Sequence, residues 1–361
     1  MAETAAQAHT APEPDTTQSA PPPHAAPTAP APPDGSRSPG VRRITLDAAG
    51  LPLSALLSEP ADGRPPRATV VALHGGGMSA GYFDGQAHPD VSLMTLGARL
   101  GVAVLALDRP GYGASARYLP EGQTLPEQAS AVRAALAEVT ARHDTGPLFL
   151  LAHSFGGKLA LALAADAPPG LFLGVDVSGC GHRPAVDVAR LLRRPDGAAL
   201  RRLNWGPLHL YPSGTFHVGQ RIVTPMPPRE RDTVGAWGAL APRLLPRVRV
   251  PVRLTFAEHE AWWRHTDADL GALTGLLSGA PRVVVDRLPG AGHNISLGTA
   301  ARAYHLRALA FLDECLRARG GRAPAHRDAA SEAGPRSVAE HTAPHPTVAA
   351  RPHAGPPAVA P

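Results

Sequence analysis

An apolar run from Leu148 to Ala152 passes through His153 and a single serine, Ser154, into Phe155, Gly156 and Gly157. It continues at once into an amphipathic helical stretch through Leu161. A strand that turns into a helix within so few residues strains the backbone at the turn. It also leaves room only for small side chains two positions to either side. Ala152 and Gly156 fill those positions, Ala152 standing where glycine is commoner. Such a turn presents a serine hydroxyl as a nucleophile. A phosphate-binding loop is excluded by spacing. That loop needs glycine four residues before Gly-Lys and then Ser or Thr, whereas Gly157-Lys158 has Ala152 and Leu159 at those places.

Upstream, the β-branched run Ala68 to Leu73 ends in His74-Gly75-Gly76-Gly77-Met78, a strand feeding a glycine-rich loop. Attack of a serine on a carbonyl generates an oxyanion, which two preorganised backbone N–H groups stabilise. The expected donors are Phe155 and Gly76, with Gly77 as a third candidate. Downstream, Val283 to Val285 reads as a short buried strand, and His293 follows on a loop after it. Histidine can take the serine proton and return it near neutral pH. Of the chain's 17 histidines, His293 stands out because open parallel sheets gather their ligand loops at the carboxyl ends of strands. The carboxylate that would orient it is favoured at Glu260, after the strand Val252 to Ala257. Asp176, at the end of the strand Phe172 to Val177, and Glu258 are the alternatives.

With these residues the chain resembles the α/β-hydrolase superfamily, in particular its serine esterase, thioesterase and proline-iminopeptidase-like members. The resemblance covers residues 41–318 and rests on four motifs in chain order. They are His74-Gly75-Gly76, the turn Asp108-Arg109-Pro110-Gly111-Tyr112-Gly113-Ala114-Ser115, the elbow at Ser154, and Glu260 with Gly292-His293. It implies a catalytic Ser154, Glu260 and His293, with Gly76 and Phe155 forming the oxyanion hole, and neither cofactor nor metal. The departures are Ala152 and a glutamate where aspartate is commoner. Epoxide hydrolases and dehalogenases are disfavoured, since they need aspartate at the position of Ser154. The Asp108 turn imitates a dinucleotide fingerprint, but Arg109-Pro110 intervenes and no helical period follows, so it reads as a structural loop.

Strands predicted at Arg42 to Leu46, Leu53 to Leu57, Ala68 to Leu73, Val102 to Leu107, Leu148 to Ala152, Phe172 to Val177, Val252 to Ala257 and Val283 to Leu288 alternate with helical patterns after the opening hairpin. This implies an α/β class fold, a mainly parallel eight-stranded sheet flanked by helices. Residues 181–248, between the sixth and seventh strands, are too long for a usual crossover and read as a cap insertion. The last helix, Thr299 to Arg317, places Tyr304, Ala308, Phe311 and Cys315 on one buried face. Residues 1–40 and 319–361 are rich in Pro, Ala, His and Thr without apolar periodicity and are expected to be disordered tails.

Met1 to Ala5 has neither a basic segment nor an apolar core, so no secretory signal is expected. Two cysteines are too few for a disulfide framework. No stretch approaches a membrane span, and a cytoplasmic location follows as the expectation. The net charge of +5 carries no basic stripe with interleaved aromatics, and Lys158 is the only lysine, so nucleic acid is not expected as a partner.

The sequence therefore predicts a serine hydrolase that cleaves a small-molecule ester or thioester through an acyl-enzyme. The alternatives are C–C hydrolase, lyase or acyl-transfer chemistry on the same residues, or a catalytically silent binding module. The cap carries Trp205, Tyr211 and Phe216, suited to an apolar acyl pocket. Its arginines, including Arg193, Arg194, Arg201 and Arg202, either receive an anionic group such as coenzyme A or an acyl-carrier arm or form a solvated surface.

Overall fold

Three adjacent five- and six-residue strands, Thr69–Leu73, Ala103–Leu107 and Leu148–His153, are buried at every position. Strands buried on both faces read as continuous apolar runs and belong inside a helix-covered parallel sheet. The computed structural model describes residues 37–193 and 197–320, and its sheet has eight strands: β1 (Arg42–Ala48), β2 (Leu51–Ser58), β3 (Thr69–Leu73), β4 (Ala103–Leu107), β5 (Leu148–His153), β6 (Phe172–Ser178), β7 (Val252–His259) and β8 (Val283–Gly292). Their order is β1-β2-β4-β3-β5-β6-β7-β8. The β1–β2 hairpin and the β2–β4 pair are antiparallel, and all other pairs are parallel. The chain turns back on itself between β3 and β5, so the switch-point crevice opens above that pair.

Nine α-helices accompany the sheet among the described residues: α1 (Leu93–Arg99), α2 (Leu125–Arg142), α3 (Phe155–Ala165), α4 (Val188–Arg193), α5 (Gly197–Trp205), α6 (Thr215–Val218), α7 (Pro228–Leu244), α8 (Asp267–Leu276) and α9 (Ala301–Gly320). Helices α4 to α7 form the insertion between β6 and β7. Helix α7 buries Glu230, Thr233, Trp237 and Ala241, spaced three or four apart as one helical face requires.

Three local expectations change. Helix α3 is not amphipathic: every residue from Phe155 to Ala164 is buried, because the helix is enclosed on all sides. Strand β8 is the edge of the sheet, so Val285 faces solvent at 37% exposure instead of lying in the interior. Helix α9 runs on to Gly320. Of the predicted N-terminal tail, residues 37–40 are described, and the Ser38 N–H donates to Asp84 Oδ2 at 2.9 Å. The rest of both predicted tails lies outside the described residues, as does Arg194 of the cap.

Candidate active site

Four loops leave the carboxyl edge of the sheet side by side: His74 after β3, Ser154 after β5, Glu260 after β7 and His293 after β8. Register fixes their neighbourhood, since Leu73 pairs with Ala152, His153 with Ser178 and His259 with Gly292. Ser154 has φ 53° and ψ −113°. Apart from Ala49 in the β1–β2 turn, it is the only non-glycine of positive φ among the described residues. Such geometry costs about 1–3 kcal/mol and persists only where packing dictates it. Packing does so here: a Cβ on Gly156 would overlap the carbonyl oxygens of Leu73 and His74, and Gly75 abuts Ser154 Cβ.

Ser154 and His293, 139 residues apart, meet with Oγ 3.1 Å from Nε2. His293 Nδ1 lies 2.7 Å from Glu260 Oε2, and the other carboxylate oxygen accepts the Trp262 N–H at 2.8 Å. A carboxylate only accepts, so the proton of His293 sits on Nδ1 and the Nε2 lone pair faces the Ser154 hydroxyl. His293 is 4% exposed and the Glu260 side chain is fully buried, which excludes competing water from the pair. The structure keeps the other two carboxylates away. Asp176 pairs with Arg253 and accepts the Tyr304 hydroxyl at 2.9 Å. Glu258 accepts the Gly290 N–H at 2.7 Å on the surface.

The Phe155 N–H, at the first position of α3, has no acceptor inside the helix. Gly76 faces Phe155 Cβ. Gly77 drops out as a donor toward the serine, because its N–H is given to Tyr112 Oη at 3.0 Å.

Sequence reasoning missed what holds this glycine loop. Arg109, fully buried, donates from Nε to the His74 carbonyl at 2.8 Å and from Nη2 to the Gly75 carbonyl at 3.2 Å. Its guanidinium pairs with Glu230 of α7, which also accepts the Tyr112 hydroxyl at 2.6 Å and the Gln128 amide at 3.1 Å. The cap thus reaches down to the loop. Thr224 donates to the Gly77 and Met78 carbonyls at 3.0 and 3.2 Å, and the Met226 methyl occupies the space a Cβ on Gly76 would need. The signal lay in the spacing of Glu230, Thr233, Trp237 and Ala241.

His153, also unassigned from sequence, stacks on Tyr82 at 4.8 Å and lies 4.8 Å from the His293 ring. Burial, with His293 acting the same way whenever it is protonated, holds its pKa well below the usual imidazole range. It is a neutral wall beside His293. Burial, reinforced by Arg109, does the same to His74. On the cap, the Trp205, Tyr211 and Phe216 rings meet edge to face at 5.0–5.7 Å. Tyr211 Oη lies against Gly292. Trp205, Thr215, Phe216, Gly219, Gln220 and Val223 line a cavity of about 270 Å³. Among the described residues no three His, Cys, Asp or Glu side chains are arranged to hold a metal, and no helix is long and apolar enough to cross a membrane.

A mainly parallel eight-stranded sheet, with a strained serine at a strand-helix turn and histidine and carboxylate on later strand-end loops, defines the α/β-hydrolase class. The model of the Alpha/beta hydrolase family matches residues 70–314, more than half of the chain, and the protein belongs to that family. No curated protein sequence matches it. Solved structures similar to it include a highly thermostable carboxyl esterase from Bacillus coagulans, at TM-score 0.59 and 16% identity over 77% of this chain and 100% of that one. The thioesterase domain from the curacin biosynthetic pathway gives TM-score 0.53 and 18% identity over 74% and 99%. Proline iminopeptidase of Mycobacterium smegmatis gives 0.51 and 18% over 77% and 100%. At such identities the likeness concerns the fold.

Proposed function

We propose that this hydrolase cleaves carboxylic esters or thioesters through an acyl-enzyme on Ser154, with His293 as base and Glu260 as the acid that orients it. The observation that carries the reading is the unbroken chain Glu260 Oε2, His293 Nδ1, His293 Nε2, Ser154 Oγ, at 2.7 and 3.1 Å.

Each step follows from that line. Ser154 Oγ bonds to the substrate carbonyl carbon as its proton passes to His293 Nε2, and the carbonyl π pair moves onto oxygen. The N–H groups of Phe155 and Gly76 stabilise that oxyanion. Collapse breaks the C–O or C–S bond, and His293 Nε2 gives its proton to the leaving alcohol or thiol. Water then attacks the acyl carbon, handing a proton to His293. The second collapse breaks the bond to Oγ, which recovers the proton as the carboxylic acid leaves.

The apolar cavity beside Trp205 and Phe216 supports a small-molecule acyl substrate. Arg193, Arg201 and Arg202 are exposed on the cap and suit an anionic leaving arm such as coenzyme A or an acyl carrier. Cys180 and Cys315 are buried and unpaired, in keeping with a cytoplasmic setting. The C–C hydrolase alternative calls for an arginine pointing into the pocket; buried Arg109 is committed to Glu230, and among the described residues no arginine lines the cavity beside Trp205 and Phe216.

Fluorophosphonate labelling read by intact mass tests the reading. Wild type gains one adduct and Ser154→Ala gains none. Equal labelling of the two proteins, or no labelling of wild type, overturns it. A panel of p-nitrophenyl esters beside acyl-coenzyme A thioesters then orders the substrates.

A further inference from the structure

Lys158, the only lysine of the chain, sits in α3 one helical turn after Ser154 and is 2% exposed. Lysine is almost never buried unpaired, because an ammonium loses its hydration and needs acceptors in return. Its Nζ lies 4.8 Å from the ring centre of Trp263 and 5.5 Å from those of Phe155 and Trp237. Ring faces attract the charge but do not satisfy three N–H donors. No acceptor among the described residues is bonded to Nζ.

The neighbouring anions are committed elsewhere. Glu230 is held by Arg109, Tyr112 and Gln128, and Glu260 by His293 and the Trp262 N–H. Cys180 stays a thiol, since burial pushes its pKa up. A second donor is orphaned beside the first: Trp263 Nε1, on the ring nearest Nζ, is buried without a partner. A partnerless indole N–H beside a lysine with no acceptor among the described residues favours a ligand group that accepts hydrogen bonds and carries negative charge.

The direction of the lysine ties this spot to the serine. Side chains on a helix lean back toward its N-terminus, over the residues three and four positions earlier. For Lys158 these are Phe155 and Ser154, and Nζ does lie over the Phe155 ring. The leaving group must depart toward solvent, so the acyl part of a substrate takes the buried side.

We propose that Lys158 and Trp263 Nε1 form a subsite for a carboxylate on the acyl group, so that the preferred substrates are monoesters or monothioesters of dicarboxylic acids. This deepens the hydrolase reading and rests on it.

The test compares monomethyl adipate with methyl 6-methylheptanoate, in which an isopropyl group replaces the carboxylate, by kcat/KM in a pH-stat. Wild type favours the acidic ester by about tenfold or more, the worth of one charge-assisted bond. Lys158→Met abolishes the ratio. Trp263→Phe, which keeps a ring and removes the N–H, reduces it and serves should the lysine variant not fold. Equal efficiencies in wild type, or a preference that survives Lys158→Met, overturn the subsite while fluorophosphonate labelling of Ser154 still upholds the hydrolase. A protein that neither labels nor turns over either ester loses both readings.

Discussion

Glu260 Oε2 stands 2.7 Å from His293 Nδ1, whereas Asp176, the other buried carboxylate considered for that role, is spent on Arg253 and Tyr304. The three carboxylates therefore separate by experiment. Glu260→Gln removes the acceptor that sets the His293 tautomer and lowers kcat by about 10²–10⁴-fold. Glu258→Gln, on the surface, leaves kcat in place. Asp176→Asn strips one partner from buried Arg253 and lowers the unfolding free energy by about 3 kcal/mol, read as a drop in Tm. Steady-state kinetics beside thermal denaturation of the three variants checks the assignment.

Two glycines near the serine differ in what surrounds them. A Cβ on Gly156 would strike the backbone carbonyls of Leu73 and His74, which β3 holds in place, while one on Gly76 would strike only the end of the flexible Met226 side chain. Gly156→Ala therefore costs at least about 3 kcal/mol and disturbs the elbow, whereas Gly76→Ala costs about 1 kcal/mol or less as Met226 swings aside. Urea denaturation of both variants measures the difference.

The elements around Ser154 were legible because each is dictated locally. Apolar runs of five or six residues ended in glycine-rich loops, and the helix Phe155–Ala165 begins where its small residues predict. Ser154, His293 and three carboxylates near them could be singled out as candidates because strand ends converge on one edge of a parallel sheet. The choice among Glu260, Asp176 and Glu258 was not legible, since a carboxylate's partner depends on neighbours far away in sequence. The Arg109–Glu230 pair spans 121 residues, and nothing local to Arg109 announces a partner on a cap helix. Edge exposure of β8 and enclosure of α3 likewise follow from strand order, which residue periodicity does not encode.

That ion pair joins the cap to the glycine loop, so its loss has both a structural and a kinetic signature. Glu230→Gln leaves the buried Arg109 charge uncompensated, at about 3–5 kcal/mol, and loosens the carbonyls of His74 and Gly75 that Arg109 grips. On the proposed mechanism kcat falls, by up to the 10²–10³-fold of a lost oxyanion donor, while KM moves little. Affinity for a trifluoromethyl ketone, which forms the tetrahedral adduct, falls by the same factor as kcat/KM. A variant with normal ketone affinity and a reduced Tm would confine the pair to stability.

His305 offers a pH signature independent of catalysis. It is fully buried in α9 with Nε2 3.0 Å from Ser296 Oγ, and burial lowers its pKa from 6.5 to about 3. Between those two values the unfolded chain binds a proton that the folded protein refuses, so stability falls as pH drops from 6.5 toward 3. Above 6.5 the histidine is neutral in both states and contributes no slope. Within that window one such group is worth about 1.4 kcal/mol per pH unit. His305→Gln keeps a hydrogen-bonding side chain that does not titrate. Urea denaturation at pH 7.5, 6.0 and 5.0 should give the variant a slope shallower by about that amount, and parallel wild-type and variant curves would show that the imidazole accepts a proton in the folded state.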